Sequence, residues 1–165
     1  MEDEFAELMM TGGKYPDEGD AVYLTWISQP LKSGDLVEVT IQDEGDTSHE
    51  GKTLAELFPD ESETSEEMDF TPTPQVFAEL RSKTRVREGF RFDLKTNRDT
   101  AYIGETAQAE HGFGFTVLWN RHRAGRANLS LHSYTIDGLE HRTSMHDHVR
   151  EYIEPFTAVS FRVEA

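Results

Sequence analysis

The chain contains no cysteine, only five lysines, and no apolar run longer than a few residues. Without cysteine it has no disulfides, no thiol nucleophile and no cysteine-ligated zinc. The apolar runs are far shorter than the roughly 20 residues that a transmembrane helix needs. The segment from Met1 to Phe5 is acidic, whereas a secretory signal begins with basic residues and an apolar stretch. These absences predict a soluble, cytoplasmic protein with no membrane partner.

Acidic residues dominate the charge, and they are concentrated in the first part of the chain. The 165 residues include 32 Asp and Glu against 16 Lys and Arg, for a net charge of −16. Residues 1–70 hold 20 acidic and 3 basic residues, whereas residues 71–165 hold 12 acidic and 13 basic ones. Because carboxylates repel phosphate, no direct nucleic-acid binding is predicted over the acidic region. A basic protein partner is favoured instead, since such a field accelerates association.

The sequence predicts one domain, residues 1–165, with an acidic loop or arm at about residues 43–70. Residues 60–69 contain six acidic side chains, and Met68 is their only aliphatic one. Such a segment buries too little apolar area to offset the entropy of ordering it. We therefore expect a mobile loop, or an arm that becomes ordered on a partner.

Alternating apolar residues predict about seven strands, of which the first two are expected at residues 21–28 and around Val37 to Ile41. The connections between strands are too short for repeated βαβ units, which favours antiparallel pairing. The predicted fold class is α+β, mostly antiparallel β, as a curved sheet or sandwich with two to four short helices. The other strands are expected around Phe92 and Leu94, Ala101 to Ile103, Phe113 to Trp119, Leu129 and Leu131, and Thr157 to Val163.

Helical spacing of apolar residues predicts four short helical segments. The first covers residues 2–10, and a single turn is expected at residues 53–58. A helix over residues 74–83 follows from Thr73 as N-cap and Pro74 as its first residue. The last covers residues 145–153, where four apolar residues recur at i, i+4, i+7 and i+8.

His146 and His148 flank Asp147, and His132 and His141 lie nearby in the sequence. On a strand, residues two apart share a face, and two imidazoles with a carboxylate hold zinc or iron. On the predicted helix, His146 and His148 point about 200° apart and cannot ligate one ion. The helix prediction therefore leads us to expect no metal site and no cofactor.

Residues 121–126 (Arg-His-Arg-Ala-Gly-Arg) lie between two predicted strands and have the composition of a hairpin tip. Two interpretations stay open. Arg121, Arg123 and Arg126 bind a phosphate or carboxylate anion, or they form a solvated tip whose charge keeps sheet edges from associating.

The chain lacks Gly-x-Ser-x-Gly and any other catalytic signature, which favours a role other than catalysis. In its size, its acidity and its lack of cysteine and catalytic motifs, it resembles two broad groups of proteins. These are immunity proteins that neutralise bacterial toxins and small acidic inhibitors from phages or mobile elements. The resemblance covers no motif and assigns no residue a role; it implies inhibition by protein binding.

The leading hypothesis is a non-enzymatic, acidic protein-binding module, an inhibitor of the immunity or anti-defence type. It would block a basic, nucleic-acid-binding protein surface by charge complementarity, with neighbouring apolar side chains as anchors. The predicted partner-binding residues are Asp43, Glu44, Asp46, Glu50, Asp60, Glu61, Glu63, Glu66, Glu67 and Asp69, with Leu57, Phe58 and Phe70 as anchors.

Two functions of other classes remain open. A small-ligand or metal site inside the curved sheet, in a binding protein or an enzyme, would involve Tyr102, Trp119, His132 and the arginine tip. A structural or assembly component would instead use its sheet edges to oligomerise.

Overall fold

The computed structural model describes residues 4–14, 22–42, 50–57, 59, 72–85, 87–120, 123, 125–143 and 145–165. The chain groups into two compact units. The first, which we name the hairpin unit, comprises Met1–Lys32 and Gly45–Phe70, and the second, the sandwich unit, comprises Ser33–Glu44 and Thr71–Ala165. The single domain expected from the sequence stays a prediction.

The hairpin unit is built on two long antiparallel strands, β1 (Glu4–Lys14) and β2 (Val22–Lys32). The strand predicted at residues 21–28 is thereby confirmed. Leu24 is the one buried apolar residue among those described in this unit. A Cβ added at Gly12 or Gly51 would come within about 3 Å of the Trp26 ring, so both glycines allow this ring to lie against the backbone.

A single helical turn, α1 (Leu54–Leu57), confirms the turn predicted at residues 53–58. The Thr53 amide donates to the Glu56 carboxylate at 2.7 Å, and the Glu56 amide donates to Thr53 Oγ1 at 3.3 Å. This reciprocal pair is a capping box, which stabilises the start of even a very short helix.

The helix predicted over residues 2–10 is wrong, because this segment belongs to β1. A nine-residue helix in isolation is marginal in water, whereas β2 offers β1 a partner along its whole length. The pairing skips Phe5, so the alternation of faces is interrupted within the strand. Met9 is exposed, so its place in the helical spacing does not mark a buried face.

Two antiparallel sheets form the sandwich unit. One has the order β3-β9-β4-β5 and the other β6-β7-β8. The strands are β3 (Leu36–Thr40), β4 (Arg91–Thr96), β5 (Ala101–Glu105), β6 (Gly112–Trp119), β7 (Ala127–Tyr134), β8 (His146–Ile153) and β9 (Ala158–Glu164).

The two sheets face each other across a core of aromatic and aliphatic side chains. Phe92 and Phe161 on one sheet contact Phe113 and Phe115 on the other, with the Phe115 and Phe161 rings stacked at 4.3 Å. Other side chains that are almost fully buried are Leu94, Leu129, Leu131, Val159 and Val163. Burial of this apolar surface is the main source of the stability of the sandwich.

On the opposite face of β6, two rings from the paired strand β7 cover two glycines. Tyr134 lies over Gly112 and His132 over Gly114, so closely that a Cβ at either glycine would meet the ring at about 2.5 Å. The His132 ring therefore lies against the outside of this sheet.

Two short helices complete the sandwich unit, α2 (Pro74–Ser82) and α3 (Ile136–Glu140). The first confirms the helix predicted at residues 74–83, while the second was not predicted. Arg81 Nη2 of α2 lies 2.7 Å from Asp137 Oδ1 of α3.

The helix predicted over residues 145–153 is also wrong, because His146–Ile153 form β8. In the pairing with β7, Leu131 opposes Val149 and His132 opposes Asp147, so His148 is skipped. The helix-like spacing arises because Met145 and Tyr152 are exposed apolar residues, so they do not share a buried face with Ile153.

The described residues form nine strands and three short helices, which confirms the predicted class of mostly antiparallel β with a sandwich-like arrangement. The strands number nine rather than about seven because β1 and β8 occupy segments predicted as helices. Among the described helices, none has the length and apolar character needed to cross a membrane.

Candidate functional site

The bulge in β8 places two histidines on the side of the strand that faces the other sheet. His148 contacts the buried Phe92 ring edge-to-face at 5.2 Å, and its ring lies 4.3 Å from that of His146. His148 is partly buried, whereas 56 % of the His146 side chain is exposed. The strand therefore brings together the two imidazoles that a helix would separate.

The third member of the site, Glu110, comes from the turn between β5 and β6 and is buried. The Ala107 amide donates to Glu110 Oε2 at 2.6 Å, and the Glu110 amide donates to the Ala107 carbonyl at 2.9 Å. Arg85 donates to the carbonyl oxygens of Gln108 and Glu110. These bonds fix the turn, and with it the carboxylate, against β8.

A continuous chain of hydrogen bonds joins this carboxylate to both histidines. His146 Nδ1 lies 3.0 Å from Glu110 Oε1, and the Ser133 hydroxyl also bonds the Glu110 carboxylate. Ser133 Oγ lies 2.7 Å from His148 Nε2, and Tyr102 Oη lies 2.7 Å from His148 Nδ1. Since Ser133 is fully buried, its hydroxyl is not available to an outside substrate as a nucleophile.

The charge states in this network favour a cation. Burial alone raises the pKa of Glu110, but hydrogen bonds from Ser133, Ala107 and His146 outweigh it and hold the pKa below its ordinary value. Burial lowers the pKa of His148, and the neighbouring His146 adds to this effect. The site therefore presents a buried carboxylate anion beside a neutral imidazole.

We name Glu110, His146 and His148 the Glu–His cluster. One ligating atom from each lies within 4.8 Å of the others. Ligands bound to zinc at about 2.1 Å in a tetrahedral arrangement are about 3.4 Å apart. His146 Nδ1 is already 3.0 Å from Glu110 Oε1, which is within this spacing.

Sequence reasoning found part of this site. It singled out the two histidines, and it placed Tyr102 in the ligand-site alternative, where the structure now brings it to His148. Two other residues of that alternative lie elsewhere: His132 covers Gly114 on the outer face, and the Trp119 side chain is about half exposed.

Glu110 and Ser133 were missed, because nothing near them in the sequence marks a site. Glu110 reaches the cluster from a turn 36 residues before His146, and Ser133 lies within an otherwise ordinary buried strand. Ser133 approaches the histidines through the pairing of β7 with β8, and Glu110 through the turn that Arg85 holds.

Most of the predicted partner-binding residues lie outside the described part of the chain. Of that set, Glu50 and Leu57 are described, and both are exposed. The residues outside are Asp43, Glu44, Asp46, Phe58, Asp60, Glu61, Glu63, Glu66, Glu67, Asp69 and Phe70.

The arginine tip connects β6 and β7, which pair as neighbours and confirm the predicted hairpin. Arg121 lies outside the described residues, and Arg123 and Arg126 are exposed. The Arg126 guanidinium lies 4.2 Å over the ring of Tyr152, a cation–π contact. Binding of an anion by the tip stays a prediction.

A depression of about 670 Å³ in the sandwich unit is lined by polar and charged residues that include Arg91, Glu105 and Glu164. Neither Tyr102 nor the Glu–His cluster lines it. It therefore adds no support to an aromatic ligand cavity around Tyr102.

Comparison of the chain with protein-family models, with curated protein sequences and with solved structures finds no match. We therefore infer function from the geometry of the described residues and from the charge of the chain.

Proposed function

We propose that the sandwich unit binds a divalent transition-metal cation, such as Zn²⁺, through the Glu–His cluster. The observation that supports this function is the convergence of two imidazoles and a buried carboxylate within 4.8 Å. Metal binding is one of the alternatives that the sequence left open. The two histidines lie on a strand, as the metal interpretation of His146 and His148 required.

The donor set suits this class of cation. Imidazole nitrogen and carboxylate oxygen are the usual protein ligands of zinc and of non-haem iron. Three protein ligands leave a fourth position for water or a small anion, as in catalytic rather than structural zinc sites. The exposure of His146 places that position within reach of solvent.

The competing interpretation is a purely structural hydrogen-bond network that ties the edge strands together. Titration of the purified chain with Zn²⁺, followed by calorimetry, separates the two. We expect saturable binding of one cation by the unaltered chain. The affinity of His146→Ala for Zn²⁺ should fall by more than about 100-fold, because losing a group that only orients a ligand typically costs about 10–100-fold. His146 is suitable because its exposed ring contributes little to the core.

The matched control is His132→Gln, which removes an imidazole from the same sheet but from its outer face. This variant is expected to bind Zn²⁺ like the unaltered chain. Absence of saturable binding, or equal losses in the two variants, would contradict the proposal.

A second function, the acidic protein-binding module of the sequence analysis, is favoured by a separate observation. The hairpin unit has 16 acidic and 3 basic residues, a net charge of −13, whereas the sandwich unit has 16 and 13, a net charge of −3. Most of the excess negative charge thus lies in the hairpin unit, which supports electrostatic steering of this unit toward a basic partner such as a nuclease.

Affinity capture from a lysate of the source organism at about 50 mM and about 500 mM salt tests this function, because screening lengths differ several-fold between them. A basic protein retained at low salt and weakened at high salt is expected. Its association rate should fall steeply when six carboxylates become amides: Asp60, Glu61, Glu63, Glu66, Glu67 and Asp69.

The control changes six exposed carboxylates of the sandwich unit to amides and is expected to slow association much less. An equal loss in both variants would show that net charge alone, and not the hairpin unit, attracts the partner. The control residues are Glu38, Glu79, Glu88, Asp99, Glu105 and Glu164.

A further inference from the structure

We assign the ring proton of His148 from its two hydroxyl partners, Ser133 at Nε2 and Tyr102 at Nδ1. Ser133 also interacts with the Glu110 carboxylate, which only accepts, so we assign its single hydroxyl proton to that carboxylate. Toward His148, Ser133 Oγ is therefore the acceptor and Nε2 the donor. Neutral His148 then has a free lone pair at Nδ1, which accepts from the Tyr102 hydroxyl.

We assign Nε2 as the ligating nitrogen, because it bonds Ser133, which also interacts with Glu110, whereas Nδ1 bonds Tyr102 of the other sheet. Ligation through Nε2 requires a lone pair there, so the ring proton must move to Nδ1. Nδ1 then needs an acceptor in place of a donor. A phenol oxygen serves both roles, because it donates and accepts hydrogen bonds.

We propose that Tyr102 is the positioning residue of the metal site: its oxygen accepts the Nδ1 proton of His148 when Nε2 ligates the cation. This inference rests on the proposed metal binding. Histidine ligands of metals commonly donate their second N–H to an oxygen acceptor, which fixes the ring orientation and tautomer. Tyr102 is placed for that task on β5, the edge strand of the sheet opposite β8.

Gly104 makes this placement possible. It lies two residues after Tyr102 on the same face of β5, and a Cβ added there would meet Tyr102 Oη at 2.1 Å. The phenol therefore lies back along the strand, over the glycine, to reach His148. An alanine at this position would displace the hydroxyl while leaving the tyrosine in the chain.

The test is Zn²⁺ titration of Tyr102→Phe and of Gly104→Ala beside the unaltered chain. Both variants are expected to bind Zn²⁺ about 10–100-fold more weakly. Tyr134→Phe is the matched control, because its hydroxyl lies over Gly112 on the outer face of the other sheet. It should leave the affinity unchanged.

A second measurement uses the unaltered chain and so does not depend on how the variants fold. Nitrogen-15 spectra of the His148 ring should show the proton on Nε2 before Zn²⁺ is added and on Nδ1 afterwards. A purely structural role of Tyr102 would not produce this exchange of tautomers.

The outcomes separate the two proposals. If the unaltered chain shows no saturable Zn²⁺ binding, the proposed function fails, and this inference with it. If it binds Zn²⁺ but Tyr102→Phe binds equally well, or the proton stays on Nε2, the role of Tyr102 is refuted while metal binding stands.

Discussion

The hairpin unit and the sandwich unit are both antiparallel β structures, yet they distribute apolar and charged residues in opposite ways. Ten apolar side chains are buried among the described residues of the sandwich unit, against Leu24 alone in the hairpin unit. Exposed apolar residues of the hairpin include Met9, Met10 and Tyr23. With net charges of −13 and −3, the hairpin unit carries most of the excess negative charge, while the sandwich unit has the buried environment in which a carboxylate and an imidazole have altered pKa values.

The largest expected effect tests where stability resides. Phe92→Ala removes a fully buried ring that contacts Phe113, His148 and Phe161. We expect a loss of about 3–5 kcal/mol in the free energy of unfolding, since the cavity cannot collapse completely. Leu24→Ala in the hairpin unit should cost only about 2 kcal/mol. Urea denaturation of both variants checks this, and equal losses would contradict the contrast.

Zn²⁺ should stabilise one unit and not the other. A ligand that binds only the folded state at 100 times its Kd contributes about 2.7 kcal/mol. Amide exchange of β7 and β8 is therefore expected to slow when Zn²⁺ is added, while that of β1 and β2 stays the same. A uniform slowing in both units would indicate non-specific binding of the cation to carboxylates.

The stability of the two units should also respond differently to acid. Burial lowers the pKa of His148 from 6.5, so the unfolded chain binds a proton that the folded sandwich resists. Its contribution to stability is complete above about pH 6.5 and is lost as the pH falls through the lowered pKa. The lowered pKa of Glu110 acts in the same direction below pH 4.5. In the hairpin unit, protonation of carboxylates instead relieves mutual repulsion.

Unfolding of the sandwich unit between pH 7.5 and pH 5, measured with a chelator present, tests the contribution of His148. His148→Gln keeps groups that hydrogen-bond Tyr102 and Ser133 but does not titrate, so its stability should vary less over this range. An unchanged slope in this variant would show that another group is responsible.

Most of the fold could be predicted from the sequence, because period-two alternation identified every strand of the sandwich unit except β8. Phe92 and Leu94 in β4, and Leu129 and Leu131 in β7, are the buried residues that the pattern predicts. Both failures share two features: exposed apolar side chains, such as Met9 and Tyr152, contributed to the helical spacing, and the strand pairing is irregular. The segments predicted as helices, β1 and β8, each contain a residue that the strand pairing skips, Phe5 and His148. A bulge depends on the partner strand, which local spacing does not reveal.

The wrong helix over residues 145–153 also explains why only half of the site could be predicted from the sequence. The histidines were recognised and then set aside, because a helix would point them apart. Glu110 and Ser133 approach them through the pairing of β7 with β8 and through the turn that Arg85 holds. Bulges occur often beside functional sites, where they redirect a side chain, and His148 is itself the skipped residue.

The smallest expected effect compares the helix caps of the two units. Thr135 Oγ1 accepts from the Gly138 amide at 2.9 Å and caps α3 in the sandwich unit, so Thr135→Ala should cost about 1 kcal/mol. Thr53→Ala in the hairpin unit should cost less, about 0.5 kcal/mol, because the amide of residue 53 still donates to Glu56 after the substitution. Urea denaturation measures both. A larger loss from Thr53→Ala would mean that α1 matters more to its unit than four residues suggest.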